Sequence, residues 1–276
     1  IMGGLWHLIP PLVVFGIVPL LDIGIPPYKK NPTPKEESEA KDAKKYRVVT
    51  WIMAPLHIGL VGWSTYTVSL GLLLWWEFLL FSIGVGISSG VVGINTAHEL
   101  GHRINNKFEP FLSRLMLWPT LYMHWIVEHV VGHHRRVATK EDPATAPLNM
   151  SVYRFWFRTV FGGLKSSWEF EKKQLKRKNK SIYGLSNRIL IYVLLEISTI
   201  VLIGVFIGLK SVSFFLLQAF VAITLLEIIN YVEHYGLLRK KNQDGKYERP
   251  RPIHSWNSNE WLTNHFLFQQ IGRAHV

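Results

Sequence analysis

Hydrophobic residues along this chain are gathered into long runs rather than repeated at the spacing of an amphipathic helix. Five runs approach the roughly 20 residues with which a helix crosses a bilayer. They cover residues 3–21, 48–70, 72–97, 189–209 and 212–232. Helices of soluble cores are usually shorter and keep a polar face. The pattern therefore predicts an all-α fold, namely a polytopic helical membrane protein with five spans.

Charged residues lie between the runs and indicate their orientation. Segments 28–47, 154–188 and 235–251 are rich in Lys and Arg, whereas the linkers 69–71 and 210–211 together hold a single basic residue. The positive-inside rule places the three basic segments in the cytoplasm. The net charge of +12 is thus explained by topology and contact with lipid headgroups. It does not indicate nucleic-acid binding, which would need a soluble patch with readout residues.

This orientation places the ends of two returning spans, at His98 and His234, on the cytoplasmic face. The segment 111–127 is long enough for a short span, but a crossing would put His129 on the opposite side from His98. We therefore expect this segment to dip into the membrane or to lie along its surface. If the N-terminus of the whole protein is cytoplasmic, one further span precedes residue 1, and the total is six.

Twelve histidines are many for so apolar a chain, and half of them fall into three clusters. The clusters are His98-Glu99-Leu100-Gly101-His102, Glu128-His129-Val130-Val131-Gly132-His133-His134 and Asn230-Tyr231-Val232-Glu233-His234-Tyr235-Gly236. Helix positions four apart share a face, so His98 and His102 are expected to point in one direction, as are His129 and His133. His134 is turned by about 100° and would reach toward a second metal.

Imidazole and carboxylate are the ligands available for a metal, because the chain has no cysteine. Neutral imidazole suits iron, zinc, copper or nickel, so ligand type alone does not choose the metal. Glu99, Glu128 and Glu233 each adjoin a histidine in sequence. They are expected to accept a ring N–H and fix its tautomer, or to bind the metal directly.

Simpler interpretations compete with a metal site. A lone histidine at a membrane interface is usually an amphipathic residue with a satisfied hydrogen bond. That interpretation applies to His7, His57, His124, His254 and His265. The pattern His98-Glu99-x-x-His102 also matches zinc metalloproteases, in which the glutamate acts as base. A protease would leave the other clustered histidines unexplained, and this surplus favours two redox metals that activate dioxygen. A metal transporter would need ionisable residues midway along the spans, where only Glu77, Glu196 and Glu227 are found.

The clusters resemble those of the bacterial membrane alkane hydroxylases (alkane monooxygenases), in the group of histidine-rich membrane di-iron enzymes that includes fatty-acid desaturases. The likeness runs from about residue 5 to about residue 268. It includes Val137-Ala138-Thr139, Glu141-Asp142-Pro143-Ala144 and His254-Ser255-Trp256-Asn257-Ser258-Asn259. The box Asn230-Tyr231-Val232-Glu233-His234-Tyr235-Gly236 distinguishes alkane hydroxylases from desaturases.

The resemblance implies two iron ions, O₂ as co-substrate and electrons from a rubredoxin. The implied product is a primary alcohol made from the terminal methyl of an alkane, in the inner (cytoplasmic) membrane of a bacterium. The implied iron ligands are His98, His102, His129, His133, His134 and His234. A membrane fatty-acid desaturase or another lipid hydroxylase remains the alternative within this group.

Two further expectations concern the face of the site and the access of substrate. Rubredoxins are acidic, so cations beside the clusters are candidates for docking. They are Arg103, Arg135, Arg136 and Lys140. Small residues at 84–90 are expected either to leave room for an alkane chain or to let helices pack closely.

The end of the chain departs from the family pattern. The family continues after Phe268 with a further histidine box, whereas this chain reads Gln269-Gln270-Ile271-Gly272-Arg273-Ala274-His275-Val276. The last six residues match a translated sequencing adapter. We therefore expect a membrane di-iron hydroxylase domain over 1–268, truncated at both ends, and a non-native tail over 269–276. We also expect the polypeptide as written to hold an incomplete, inactive site.

Overall fold

A computed structural model of the protein describes residues 3–26, 44–103, 106–256 and 260–266. The helices of these residues are α1 (Gly4–Gly24), α2 (Lys44–Ser69), α3 (Trp75–Gly101), α4 (Phe108–Leu117), α5 (125–136), α6 (Val152–Arg177), α7 (Arg188–Phe206), α8 (Leu209–His234) and α9 (Trp261–Phe266). Short 3₁₀ turns occur at Trp118–Thr120 and Pro252–His254. The predicted tail at 269–276 lies outside the described residues.

Five of the helices are long and apolar enough to cross a membrane, which confirms the predicted all-α, polytopic architecture. They are α1, the Arg47–Ser69 part of α2, α3, α7 and α8. In the apolar 18-residue stretch of each span, 50% of the residues are buried in α3 and 44% in α8. The corresponding shares are 11% in α1 and 17% in α7. The centre of the bundle is therefore built by α3 and α8, while α1 and α7 expose most of their surface to lipid.

The turn between the last two spans lies slightly earlier than predicted. Hydrophobicity placed it at 210–211, but α7 ends at Phe206 and α8 begins at Leu209. Gly208 has a φ of +118°, a conformation that residues with a Cβ rarely adopt. The glycine fixes the position of the turn, whereas the hydrophobic run simply continues through it.

Close packing of α3 on α8 explains the small residues at 84–90. A Cβ on Gly86 would lie 2.6 Å from Cβ of Val221, and one on Gly90 would lie 3.2 Å from a methyl of Leu225. Both glycines thus face α8 with no space for a substrate chain between them. Of the two expectations for these residues, helix packing holds and the channel does not.

The segment that follows α3 enters the bundle and turns back, as the topology argument required. Its tip is the 3₁₀ turn after α4, where Leu121 has a φ of +55°. Trp118 donates to Thr199 Oγ1 at 2.9 Å, and Gln218 donates to the Pro119 carbonyl at 2.7 Å. Thr199 and Gln218 lie midway along α7 and α8, so the tip reaches about the middle of the spans and the chain then returns through α5.

The carboxylates within the spans serve the backbone and the packing of this arrangement. Glu196 accepts a hydrogen bond from the Met123 N–H at 2.8 Å, which satisfies a backbone group inside the bundle. Glu77 accepts hydrogen bonds from the N–H groups of Leu74 and Gly4. These two acidic residues are thus explained without a transport pathway.

Candidate metal centre

Four histidines from the ends of α3 and α5 converge at one point. They are His98, His102, His129 and His134, and one ring nitrogen of each lies within 4.8 Å of the others. The Nε2 atom of His129 lies 2.5 Å from that of His98 and 3.0 Å from that of His134. Nitrogens bound tetrahedrally at about 2.1 Å to one ion would lie about 3.4 Å apart, so these rings are somewhat closer than a bound ion would hold them. We call these residues the four-histidine cluster.

The backbone of α5 explains why His134, rather than His133, joins this cluster. Residues Glu128–His133 form a π-helical turn, in which hydrogen bonds link positions five apart. The side chains of His129 and His134, five positions apart, therefore share a face. The sequence prediction had assumed α-helical spacing and had paired His129 with His133. The structure reverses these two roles.

His133 instead lies beside His234 at the end of α8, with ring centroids 4.9 Å apart. Its Nδ1 atom is 2.9 Å from Oδ2 of Asp142, and both side chains are buried. Asp142 also accepts hydrogen bonds from Thr145 Oγ1 at 2.6 Å and from the Ala144 N–H at 3.2 Å. A carboxylate on Nδ1 fixes the tautomer and leaves Nε2 free to bind a metal. We call His133 and His234 the second pair.

The cluster and the second pair form one continuous patch. The ring centroid of His133 lies 5.3 Å from that of His129 and 5.9 Å from that of His134. All six predicted ligands are thus brought together from three helices. Six imidazoles exceed the four ligands that a single tetrahedral ion takes.

Burial keeps the cluster in the neutral form that binds metals. Burial, reinforced by the neighbouring histidines, holds the pKa of His129 far below its usual range and lowers that of His134 to about 3. Burial also acts on His133, but the charge of Asp142 outweighs it, and the pKa of His133 is raised. Correspondingly, His133 holds the pKa of Asp142 below its usual value against the effect of burial. Converging neutral nitrogen lone pairs repel unless a cation lies between them, so these residues fit a transition-metal ion.

The three glutamates beside the histidines have different surroundings. Glu99 forms an ion pair with Arg103 at 2.8 Å, and its side chain is 37% exposed. Glu128 is buried, binds Arg136 at 2.5 Å, and has its other oxygen, Oε2, without a hydrogen-bond partner. Burial raises the pKa of Glu128 to about 7 despite Arg136. The Oε2 atom of Glu233 lies 3.9 Å from Nε2 of His234.

Trp125 closes the membrane side of the cluster. Its ring stacks on His129 with centroids 4.5 Å apart and an interplanar angle of 22°, and it lies 5.6 Å from the ring of His98. On the opposite side, the loop after α8 folds back onto the second pair. Nδ1 of His234 lies 3.4 Å from the His254 carbonyl in that loop. Trp125 therefore covers His98 and His129, and the loop covers His234, whereas His102 and His134 stay partly exposed.

A buried polar network lies behind the second pair, and sequence reasoning did not find it. Glu227 accepts hydrogen bonds from Tyr122 Oη at 2.9 Å and Thr159 Oγ1 at 2.8 Å, and also from Asn230 Nδ2 at 3.0 Å. These hydrogen bonds connect the segment that turns back after α4 with α6 and α8, next to the site. Asp142 was also missed as a site residue. Its signals in the sequence are that an acidic residue follows a histidine cluster within nine positions and that it lies in the stretch Glu141-Asp142-Pro143-Ala144, which resembles the family.

The predicted docking cations are distributed unevenly. Arg135 and Lys140 are exposed, and Arg103 is partly exposed beside Glu99. Arg136 turns inward, where its Nη2 atom binds Glu128 and lies 2.8 Å from Ser166 Oγ. The structure thus assigns Arg136 to the support of a buried carboxylate rather than to an open surface.

The lone histidines do not join the cluster in the described part of the chain. His7 packs against Phe81 with ring centroids 5.1 Å apart, and His124 packs against Tyr122 at 4.8 Å. His254 accepts a hydrogen bond from the Arg251 N–H at 2.9 Å. The side chain of His265 lies outside the described part of the structure.

Comparison with known proteins agrees with this geometry. The sequence model of the fatty acid desaturase family matches residues 73–275. The chain is 39% identical over 259 residues to an alkane 1-monooxygenase of Acinetobacter baylyi, covering 94% of this chain and 63% of that protein. It is 34% identical over 265 residues to an alkane 1-monooxygenase of Pseudomonas putida, covering 96% of this chain and 65% of that protein. It is also 38% identical to alkane 1-monooxygenase 1 of Pseudomonas aeruginosa, covering 95% of this chain and 69% of that protein.

The chain thus spans just under two thirds of the length of the first two of these relatives. The matched residues include the ends of α3, α5 and α8, which carry all six clustered histidines. The chain therefore belongs to the fatty acid desaturase family, and within it to the group of alkane monooxygenases.

Proposed function

We propose that the protein is an integral-membrane di-iron monooxygenase that hydroxylates the terminal methyl group of alkanes. The overall reaction converts RH, O₂, two electrons and two protons into ROH and H₂O. The observation that carries this proposal is the meeting of the four-histidine cluster and the second pair in one patch. The names of the relatives support the substrate, and the number of imidazoles supports two ions.

Bound iron would supply the oxidising power needed to break an unactivated C–H bond. The residues of the chain supply its surroundings. The four-histidine cluster would hold one ion, and His133 and His234 would belong to the binding of the other. Asp142 keeps His133 in the tautomer whose Nε2 is free to bind, and Trp125 shields the cluster from the membrane side. An alkane has no polar group to recognise, so the apolar walls must position it by shape.

Rubredoxin is the proposed electron donor. Arg103, Arg135 and Lys140 lie beside the ligand helices on the face that the basic segments assign to the cytoplasm. Encounters between an acidic donor and such a face are accelerated by charge and weaken as salt screens it. Turnover with rubredoxin should therefore slow as ionic strength rises, whereas turnover with a small neutral reductant should not. An equal response of both reactions would remove the docking proposal.

A fatty-acid desaturase or lipid hydroxylase is the second candidate, because the matched family model is that of the desaturases. Octane and a stearoyl substrate, supplied to the whole protein in membranes with O₂ and reduced rubredoxin, distinguish the two functions. 1-Octanol as the main product supports the alkane hydroxylase, and an unsaturated acyl product supports the desaturase. No comparable observation favours a metalloprotease, since the carboxylate of Glu99 pairs with Arg103 rather than facing the cluster.

The proposed location is the inner membrane of a bacterium. The relatives reported above are bacterial, and the five spans require a membrane. The cytoplasmic position of the site follows from the basic segments and is consistent with a supply of reduced rubredoxin from the cytoplasm.

A further inference from the structure

Helix α6 is the longest helix outside the candidate spans, and its two halves expose different chemistry. At 26 residues it is about 39 Å long. Its buried face repeats every four residues and consists of Phe155, Thr159, Gly163, Ser167, Glu171 and Leu175. The opposite face is open, and nothing else in the described chain covers it along its first half.

The exposed side chains of the first half are three aromatic residues and one cation, Arg154. Tyr153 is 80% exposed, and Phe157 and Phe161 are each 61% exposed. The last two rings are nearly parallel, at 7°, with centroids 6.3 Å apart. Three exposed aromatic side chains in successive turns are unusual for a surface in water, but they are typical of the boundary between hydrocarbon and headgroups.

The exposed face of the second half, with the loop after it, is basic. Its exposed cations are Lys165, Lys173, Lys176, Arg177, Lys178 and Lys180. Both acidic residues of this stretch are paired, Glu169 with Lys172 and the buried Glu171 with Arg188. The open charge of the second half is therefore positive.

The contacts of α6 place it at the cytoplasmic edge of the bilayer. Near its start, Trp156 donates to Thr224 Oγ1 at 3.1 Å, and Thr159 binds Glu227, both in the second half of α8. Near its end, Glu171 binds Arg188, the first residue of α7. Helix α6 thus runs from the second half of α8 toward the beginning of α7.

We propose that α6 and the following loop form a binding surface for anionic lipid headgroups. The aromatic half enters the edge of the hydrocarbon, and the basic half contacts phosphate groups of the cytoplasmic leaflet. Amphipathic helices with aromatic and cationic faces bind membranes in this way, and each cation near an anionic surface adds attraction. The same helix contacts Glu227 through Thr159 and Arg136 through Ser166, so lipid binding supports the wall of the metal site.

The insertion of the aromatic half can be measured with spin labels, because the chain has no native cysteine. The F157C variant is labelled and placed in nanodiscs, with K246C as the matched control in the exposed turn after α8. The label at position 157 is expected to meet dissolved O₂ more often than a water-soluble nickel complex, and the label at 246 to show the reverse. A label at 157 with the accessibility of the one at 246 would overturn the proposal and indicate a face in water, open to a protein partner.

Binding of anionic headgroups by the basic half is tested by changing the lipid composition. The thermal unfolding midpoint of the full chain is measured in phosphatidylcholine nanodiscs with and without phosphatidylglycerol. The anionic lipid is expected to raise the midpoint. Changing Lys165, Lys173, Lys176 and Arg177 to Gln should remove most of this rise. The same loss of four charges at Lys240, Lys241, Lys246 and Arg249 should remove much less of it. An equal effect of the two sets, or no rise in the unchanged protein, would contradict the lipid surface.

Discussion

Replacing Asp142 by Asn tests whether the buried carboxylate determines how His133 binds metal. The change keeps the size of the side chain and removes its charge. One oxygen can still accept the Ala144 N–H, but an NH₂ group then takes the place of Oδ2, 2.9 Å from Nδ1 of His133. Two N–H donors cannot share this contact. His133 must therefore carry its proton on Nε2, the nitrogen needed for the metal.

The expected magnitude follows from this tautomer change. Loss of a carboxylate that supports a metal-bound histidine typically lowers metal affinity by about 10–100-fold, or about 1.4–2.7 kcal/mol. The upper part of this range is expected, because Asp142 is fully buried and no water can replace its oxygen. The four-histidine cluster does not contact Asp142, so its affinity should change little.

The assay is a chelator competition on the metal-loaded whole protein, with two affinities resolved from the number of ions retained. Glu141→Gln is the matched control, because it removes the same charge at the exposed neighbouring position. Circular dichroism verifies that both variants keep their helices. If Asp142→Asn retains both ions as tightly as Glu141→Gln does, the carboxylate does not orient His133 and the reasoning fails.

Two further predictions concern packing and charge. Gly86→Ala should destabilise the protein by about 1–3 kcal/mol, because the new Cβ would meet Val221, whereas Gly59→Ala, with open space around it, should be nearly neutral in detergent unfolding. Glu171→Gln should cost about 1–3 kcal/mol at pH 7, since it breaks the hydrogen bonds with Arg188. Burial raises the pKa of Glu171, but the hydrogen bonds from Arg188 outweigh this and hold the pKa below 4.5. The stabilisation is thus present above pH 4.5 and lost as pH falls through the lowered value. The unfolding midpoints of the two proteins should converge on acidification, and a constant difference would contradict this assignment.

The spans and the site of convergence were predictable because each depends on features local in sequence. A hydrophobic run of span length identifies a helix whatever its neighbours are, and the basic segments orient the runs. The dip of the segment 111–127 followed from a constraint, since His98 and His129 had to share a side. The structure agrees, with the tip of this segment near the middle of α7 and α8.

The finer arrangement of the site was not predictable from spacing. The π-helical turn at Glu128–His133 shifts every later side chain of α5, and nothing in the apolar pattern marks it. Asp142 reaches His133 through a loop whose path depends on tertiary contacts. Likewise, the partly exposed Arg136 turns inward because Glu128 accepts its hydrogen bond. Roles of this kind depend on partners that are brought together only by the fold.

The most direct test of the account counts the metal ions held by the six histidines. The whole protein that carries this sequence is purified under conditions that retain metal, and its metals are measured by elemental analysis and Mössbauer spectroscopy. The account predicts two iron ions per chain, one of them lost selectively in Asp142→Asn. A single zinc ion per chain, with no iron, would contradict it.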